Sequence, residues 1–320
     1  MNILRRLTIA AGLALLGTAA NAQSYPSKPI TVIVPFGPGS ATDTIARLVS
    51  QNLATALNAS IIVENKAGAN GAIAATYVAR SVPDGYTLLM ATNSPMSAVP
   101  ALKKSPPYDP VNDFTPITDI GRYTVFMYVN SNVPAKTLAE FIAYAKANPG
   151  KLSYATGNAS GIVAFAQFNS LTGIDMLPVP YKSAPPAMLD LVAGRVDAMM
   201  DPPTTGLPYV KDGRLRALVT TLDRRSPLLP DVPTIREAGV PEFTISNWMG
   251  LVGPAGMPRD VVNRLNREFA NALKRPEVVA ALEKQAFLPN PSTPEQFGDF
   301  IKEQMQSYAT LLKRAGVQPD

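Results

Sequence analysis

Short β-branched runs alternate in this chain with stretches whose apolar residues recur every third or fourth position. Ile30–Pro35 reads as a buried strand, followed by the tight loop Gly37-Pro38-Gly39-Ser40. Ile45, Leu48, Val49, Leu53 and Leu57 then fall at helical spacing. Ile61–Val63 predicts a second strand, Ala72–Ala79 a helix and Tyr86–Met90 a third strand. This order argues for a parallel sheet with helices on its faces.

The pattern starts again at Tyr123. Tyr123–Val129 predicts a strand, and Thr137 with Glu140 forms a capping box opening a helix through Ala147. Leu152–Ala155 and Met176–Pro180 predict strands on either side of a helix over Gly161–Leu171. A helix over Ala184–Ala193 tolerates Pro185 and Pro186 in its first turn. Strands over Val196–Met200 and Leu215–Thr220 complete a second α/β unit. Trp248–Val252 predicts one more strand, with helices over Pro258–Leu273, Pro276–Ala286 and Thr293–Ala315. The last carries Phe297, Phe300, Ile301, Tyr308, Leu311 and Leu312 on one stripe.

Two open α/β lobes follow from this pattern. Lobe 1 comprises residues 23–122 and 245–320, and lobe 2 residues 123–244. Crossings near Ile120–Val125 and Glu242–Trp248 join them. Ligands of open α/β sheets sit outside the carboxyl ends of the strands, so facing lobes would present both sets of ends to one cleft. Two short crossings make a hinge for its closure.

The N-terminus changes where this takes place. Arg5 and Arg6 precede an apolar run, Leu7–Leu16, and Ala20-Asn21-Ala22 supplies a small-x-small cleavage pattern. Residues 1–22 therefore read as a secretory signal, cut after Ala22. The run is short for a bilayer span, and no later stretch is long enough for one.

Composition narrows the chemistry. With 46% hydrophobic and 17% charged residues the chain can bury a sizeable core. The formal charge is +5, and the basic residues are scattered, so no face is concentrated enough for nucleic acid. There is no Cys and no His. Ser-His-Asp and Cys-His catalysis are excluded, together with thiolate and imidazole metal sites. No acidic calcium loop is present, and the reading is of a chain with no metal, no cofactor and no enzymatic activity.

The candidate binding residues lie at strand ends. In the first lobe, Phe36, Gly39, Ser40, Thr42 and Asp43 join a strand to a helix N-terminus, where free N–H groups and the helix dipole favour an anion. In the second, Thr156, Gly157, Ser160 and Gly161 repeat the arrangement around Asn158. Either loop alone is equally an ordinary cap; together they are placed to clamp two ends of one ligand. Thr92, followed by Asn93 and Ser94, ends the third strand. Tyr181 precedes Lys182, a countercharge for a carboxylate, and Asp201 ends the Val196 strand, where it would orient donors or accept from a ligand amine. Trp248 would either line the pocket or pack at the hinge, packing being the commoner fate of a lone Trp.

Several ordered blocks also resemble one family. Pro35-Phe36-Gly37-Pro38-Gly39-Ser40-Ala41-Thr42-Asp43 is similar to the first-loop motif of the Bug receptors, the substrate-binding proteins of tripartite tricarboxylate transporters. The similarity continues through Glu64–Gly71, Pro83–Leu88, Val179–Lys182, Leu191–Asp197, Asp231–Thr234 and Glu237–Gly239, across nearly the whole chain after the signal. The resemblance implies a periplasmic, two-lobed receptor of the type II, Venus-flytrap fold. It would bind a small carboxylate (a di- or tricarboxylate, an amino acid or an aromatic acid) and hand it to transporter membrane subunits, as a monomer. The loops equivalent to Phe36–Asp43 and Thr156–Gly161 would hold the ligand carboxylate. Ser40 stands where many relatives have Gly, and Ile162-Val163-Ala164 replaces a more polar start, which favours a less polar acid. A sensor module presenting its ligand to a signalling partner would share this fold and pocket.

Overall fold

The computed structural model describes residues 25–319; the expected signal, residues 1–22, lies outside them. The first lobe opens with β1 (Ile30–Val34), α1 (Ala41–Leu57), β2 (Ile61–Asn65), α2 (Ala72–Ala79) and β3 (Thr87–Thr92). β1 pairs in parallel with both β2 and β3, so it is central, and Ile30, Val32, Ile33 and Val34 are fully buried. Helix α1 begins at Ser40, whose hydroxyl accepts the Asp43 N–H. It ends at Asn58, which takes the left-handed conformation. Its Ile45, Ala46, Val49, Leu53 and Leu57 cover one face of the sheet.

A π-helical turn over Ser94–Ala98 and the short α3 (Val99–Leu102) lead to β4 (Phe114–Tyr123). The expected strand over Tyr123–Val129 is two strands. β4 stops at Tyr123, and β5 (Phe126–Asn130) starts in the other sheet. Thr124 and Val125 make the first crossing. The second lobe continues with α4 (Leu138–Ala147), β6 (Ser153–Thr156), α5 (Ala159–Thr172) and β7 (Leu177–Pro180). It closes with α6 (Ala184–Val192), β8 (Ala198–Asp201), α7 (Pro203–Lys211) and β9 (Leu215–Thr220). The chain returns through β10 (Asn247–Pro254), then α8 (Arg259–Leu273), α9 (Pro276–Glu283), β11 (Phe287–Pro289) and α10 (Pro294–Arg314).

The sheets are ordered β11-β4-β10-β3-β1-β2 and β7-β6-β8-β5-β9. In each, the strand that follows a crossing runs against its neighbours: β10 is antiparallel to β3 and β4, and β5 to β8 and β9. The reason is geometric. A chain arriving from the other lobe enters at the seam, where the neighbouring strands end, and must run the opposite way. Each sheet is therefore mixed, while β1, β2 and β3 in one and β6, β7 and β8 in the other keep the parallel arrangement with helices between. The carboxyl ends of those strands meet across the seam.

Two local expectations change. Thr137 does accept the Glu140 N–H, at 3.2 Å, but the Glu140 carboxylate takes the N–H of Lys136 at 2.6 Å, so the reciprocal box does not form there. A full capping box forms at Thr293 and Gln296, at the head of α10. From there Phe297, Ile301, Tyr308 and Leu312 are buried along one stripe. Phe297 and Phe300 meet the Trp248 ring edge-on, at 5.7 and 5.4 Å between centroids. Trp248 is thus a packing residue. No helix among the described residues is long and apolar enough to cross a membrane.

Candidate functional site

The loop after β1 is held from beneath by Asp43. One carboxylate oxygen accepts the Gly39 N–H at 3.1 Å; the other accepts from Arg47 Nε at 3.0 Å and Asn65 Nδ2 at 2.9 Å. Asn65 Nδ2 also donates to the Phe36 carbonyl at 2.9 Å. Burial opposes the charge on Asp43, but the hydrogen bonds from Arg47, Asn65 and Gly39 outweigh it and hold its pKa below the ordinary carboxylate value. Asp43 therefore shapes the loop, and Ser40 caps the helix behind it. Phe36, Ser40 and Thr42 are buried. The loop faces the second lobe: a Cβ placed on Gly37 would lie 3.3 Å from Ser183 Oγ, and one on Gly39 4.0 Å from Pro185 Cγ.

The second loop is built the same way. Asn158, extended in backbone, accepts the Gly161 N–H at 2.9 Å and so caps α5. Gly157 packs so closely on α6 that a Cβ would lie 2.5 Å from the Ala184 nitrogen, and no other residue fits there. Thr156 is buried, and its carbonyl accepts the Tyr181 N–H at 2.8 Å. The first N–H of α5, on Ala159, crosses the seam to Ser94 Oγ at 3.1 Å; that hydroxyl donates in turn to the Asn70 carbonyl at 2.7 Å. A helix N-terminus of one lobe is thus met by an oxygen of the other, as it would be by an anion.

Tyr308 reaches the same place from α10. Asn93 Nδ2 donates to its hydroxyl at 2.8 Å, while Asn93 Oδ1 accepts the backbone N–H of Trp248 at 2.8 Å. Ser160 sits against the Tyr308 phenol, yet its buried hydroxyl completes no hydrogen bond of good geometry. Thr92 Oγ1, at the end of β3, is likewise buried and unpaired. Buried hydroxyls are normally satisfied, so Ser160 in the first turn of α5 and Thr92 at the end of β3 are free to pair with another group.

Between the crossings and the second lobe lies a cavity of about 20 Å³. Ser160, Gly161 and Asp201 line it, with Tyr123, Asn158 and Asn247. It has room for about one water, so an organic acid enters only when the lobes part. Asp201 is buried and has no cation beside it among the described residues; burial pushes its pKa up to about 7, and a hydrogen bond from Thr205 opposes the rise only in part.

Of the sequence-derived candidates, Ser160, Gly161 and Asp201 meet in this cavity. Phe36, Gly39, Ser40, Thr42 and Asp43 are not in its lining, and the turn they belong to lies against Ser183 and Pro185 instead; Thr92 and Thr156, which end β3 and β6, and Gly157 are outside the lining too. Tyr181 is not in the cavity lining: its hydroxyl donates to Asp190 Oδ2 at 2.7 Å on the partly exposed side of α6. Lys182 is exposed. Tyr123, Tyr308 and Asn247 were not singled out for the site from sequence. They come from three separate elements of the first lobe and its crossings, and no local pattern joins them.

Comparison with known proteins agrees with this geometry. Residues 45–317 match the family model described as tripartite tricarboxylate transporter family receptor. The chain is 35% identical over 325 residues to protein BugT of Bordetella pertussis, covering 99% of each chain. Rpa4515 of R. palustris, solved with adipate, superposes with a TM-score of 0.89 at 31% identity, covering 92% of this chain and 100% of that one. MatC of Rhodopseudomonas palustris, solved with bound malate, superposes with a TM-score of 0.85 at 33% identity, covering 90% of this chain and 100% of that one. The periplasmic binding protein BugD superposes with a TM-score of 0.87 at 32% identity, covering 92% of this chain and 100% of that one. The chain belongs to the tripartite tricarboxylate transporter receptor family, a family of receptors and not of enzymes.

Proposed function

We propose that this protein is an extracytoplasmic receptor that captures a small carboxylate between its two lobes and delivers it to transporter membrane subunits. In this reading residues 1–22 are a secretory signal removed after Ala22, and the remainder works in the periplasm as a monomer. Lobe 1 comprises 23–122 with 245–320, and lobe 2 comprises 123–244. The loops Phe36–Asp43 and Thr156–Gly161 close on the acid from opposite sides. The observation that carries the proposal is the N-terminus of α5, which points across the seam beside the unpaired Ser160 hydroxyl. Helix N-termini favour anions. The relatives solved with adipate and malate support the ligand class.

Ser160→Ala tests this reading. The hydroxyl makes no well-formed hydrogen bond beside the Tyr308 phenol, so its loss should move the melting temperature little. Acid binding, measured by thermal shift across di- and tricarboxylates, amino acids and aromatic acids, should weaken about tenfold, the loss of one hydrogen bond to a charged group. Ser40→Ala is a poorer probe, because it also removes the α1 cap and about 1 kcal/mol of stability. Unaltered affinity in Ser160→Ala would remove this site from the proposal.

A further inference from the structure

Asp201 has no structural duty that accounts for its burial. It ends β8 just ahead of α7, but the cap residue of α7 is Pro202, and Asp201 accepts no helix N–H. Thr205 Oγ1 donates to its Oδ2; among the described residues Oδ1 receives nothing. The groups that face it are Thr205 from α7, Tyr123 from β4 and Tyr128 from β5. Both phenols feel its charge, and neither hydrogen-bonds to it; the Tyr128 hydroxyl is itself buried and unpaired. No Lys or Arg lines the cavity into which Asp201 is set, and its other walls include Val125, Met200, Phe243 and Ile245.

A carboxylate withdrawn from water ionises there only if something supplies donors or positive charge. A second ligand carboxylate would do the reverse, unless the two share a proton. We propose that Asp201 sets ligand preference, selecting acids that carry a hydrogen-bond donor, an ammonium or a hydroxyl, apart from the carboxylate held by the loops. The inference rests on the receptor reading and deepens it: the loops recognise the acid, Asp201 recognises what else the molecule bears, and the apolar walls accept its carbon frame.

The test compares wild type with Asp201→Asn by titration calorimetry at about pH 8, where Asp201 is ionised. The probes are succinate against malate and aspartate, and benzoate against para-hydroxybenzoate. In any series that binds, the donor-bearing acid should bind wild type at least about tenfold tighter than its parent, and the variant should narrow that ratio to about threefold or less. Should the variant not fold, the same ratio in wild type must shrink at about pH 5.5, where Asp201 is protonated. A ratio unchanged by both the substitution and pH, or a parent acid preferred by wild type at the higher pH, overturns the role of Asp201 and leaves the receptor reading standing. Binding of no acid by folded wild type overturns both.

Discussion

Asp43 and Asp201 both sit buried at strand-to-helix junctions, and their surroundings drive their acidities in opposite directions. Asp43 is surrounded by donors and stays ionised; Asp201 has one hydroxyl and no cation. The consequence for Asp201 is a stability that depends on pH. Its folded pKa of about 7 exceeds the ordinary aspartate value of 3.8, so between those values the folded chain keeps a proton that the unfolded chain has released. Its contribution is fully present below the unfolded pKa and is lost as pH rises through about 7. The whole loss is at most about 4 kcal/mol, from about 1.4 kcal/mol per tenfold change in proton affinity. Asp201→Asn should therefore melt several degrees above wild type at about pH 8, with the gap cut by more than half at about pH 5. Melting curves separated by the same interval at both pH values would show that Asp201 does not titrate in this way. From sequence, the position of Asp201 at a strand end was legible, but its lack of a counter-ion was not. That lack depends on what Tyr123, Tyr128 and Thr205 bring to it from other elements.

Elements with a strong period of their own were legible to within a few residues. α1, α8 and α10 carry long apolar stripes, and β1, β3 and β9 are compact apolar runs. The body of β4 was not legible, because Phe114–Tyr123 contains Pro116, Asp119, Gly121 and Arg122. Packing explains its composition. Arg122 Nη1 neutralises the buried Asp119 at 2.7 Å, and Gly121 lies where the β11 backbone crosses too closely for any side chain. The three residues of β11 are too few to show a period, and Gly206 and Pro208 disguise α7. A similar constraint fixes β10 against α10. A Cβ on Gly250 would fall 2.0 Å from Phe297 Cζ, inside the ring that Trp248 also contacts. Gly250→Ala should force Phe297 from its place and cost about 2 kcal/mol or more in denaturant unfolding. An unchanged midpoint would mean that α10 is not seated firmly on the sheet.

At the scale of the whole molecule, the return of the chain to its first sheet was legible from the strand at Trp248 and the helices after it. What could not be read was how completely the lobes meet. Ser94 accepts the first N–H of α5, the Gly37–Gly39 turn lies against Ser183 and Pro185, and Tyr308 reaches Ser160. These contacts join residues 65 and more positions apart, outside any local pattern. The cavity lined by Ser160 and Asp201 holds only about 20 Å³, so capture there requires an open form that the acid then closes. Because a ligand shifts such an equilibrium only by its differential affinity for the two forms, closure and binding must be observed together. Small-angle X-ray scattering of the purified protein, alone and saturated with an acid that raises its melting temperature, measures this most directly. The account predicts that the free protein is more extended than the structure described here, and that the acid lowers its radius of gyration to the value calculated from that structure. A radius of gyration unchanged by saturating acid would contradict capture by closure.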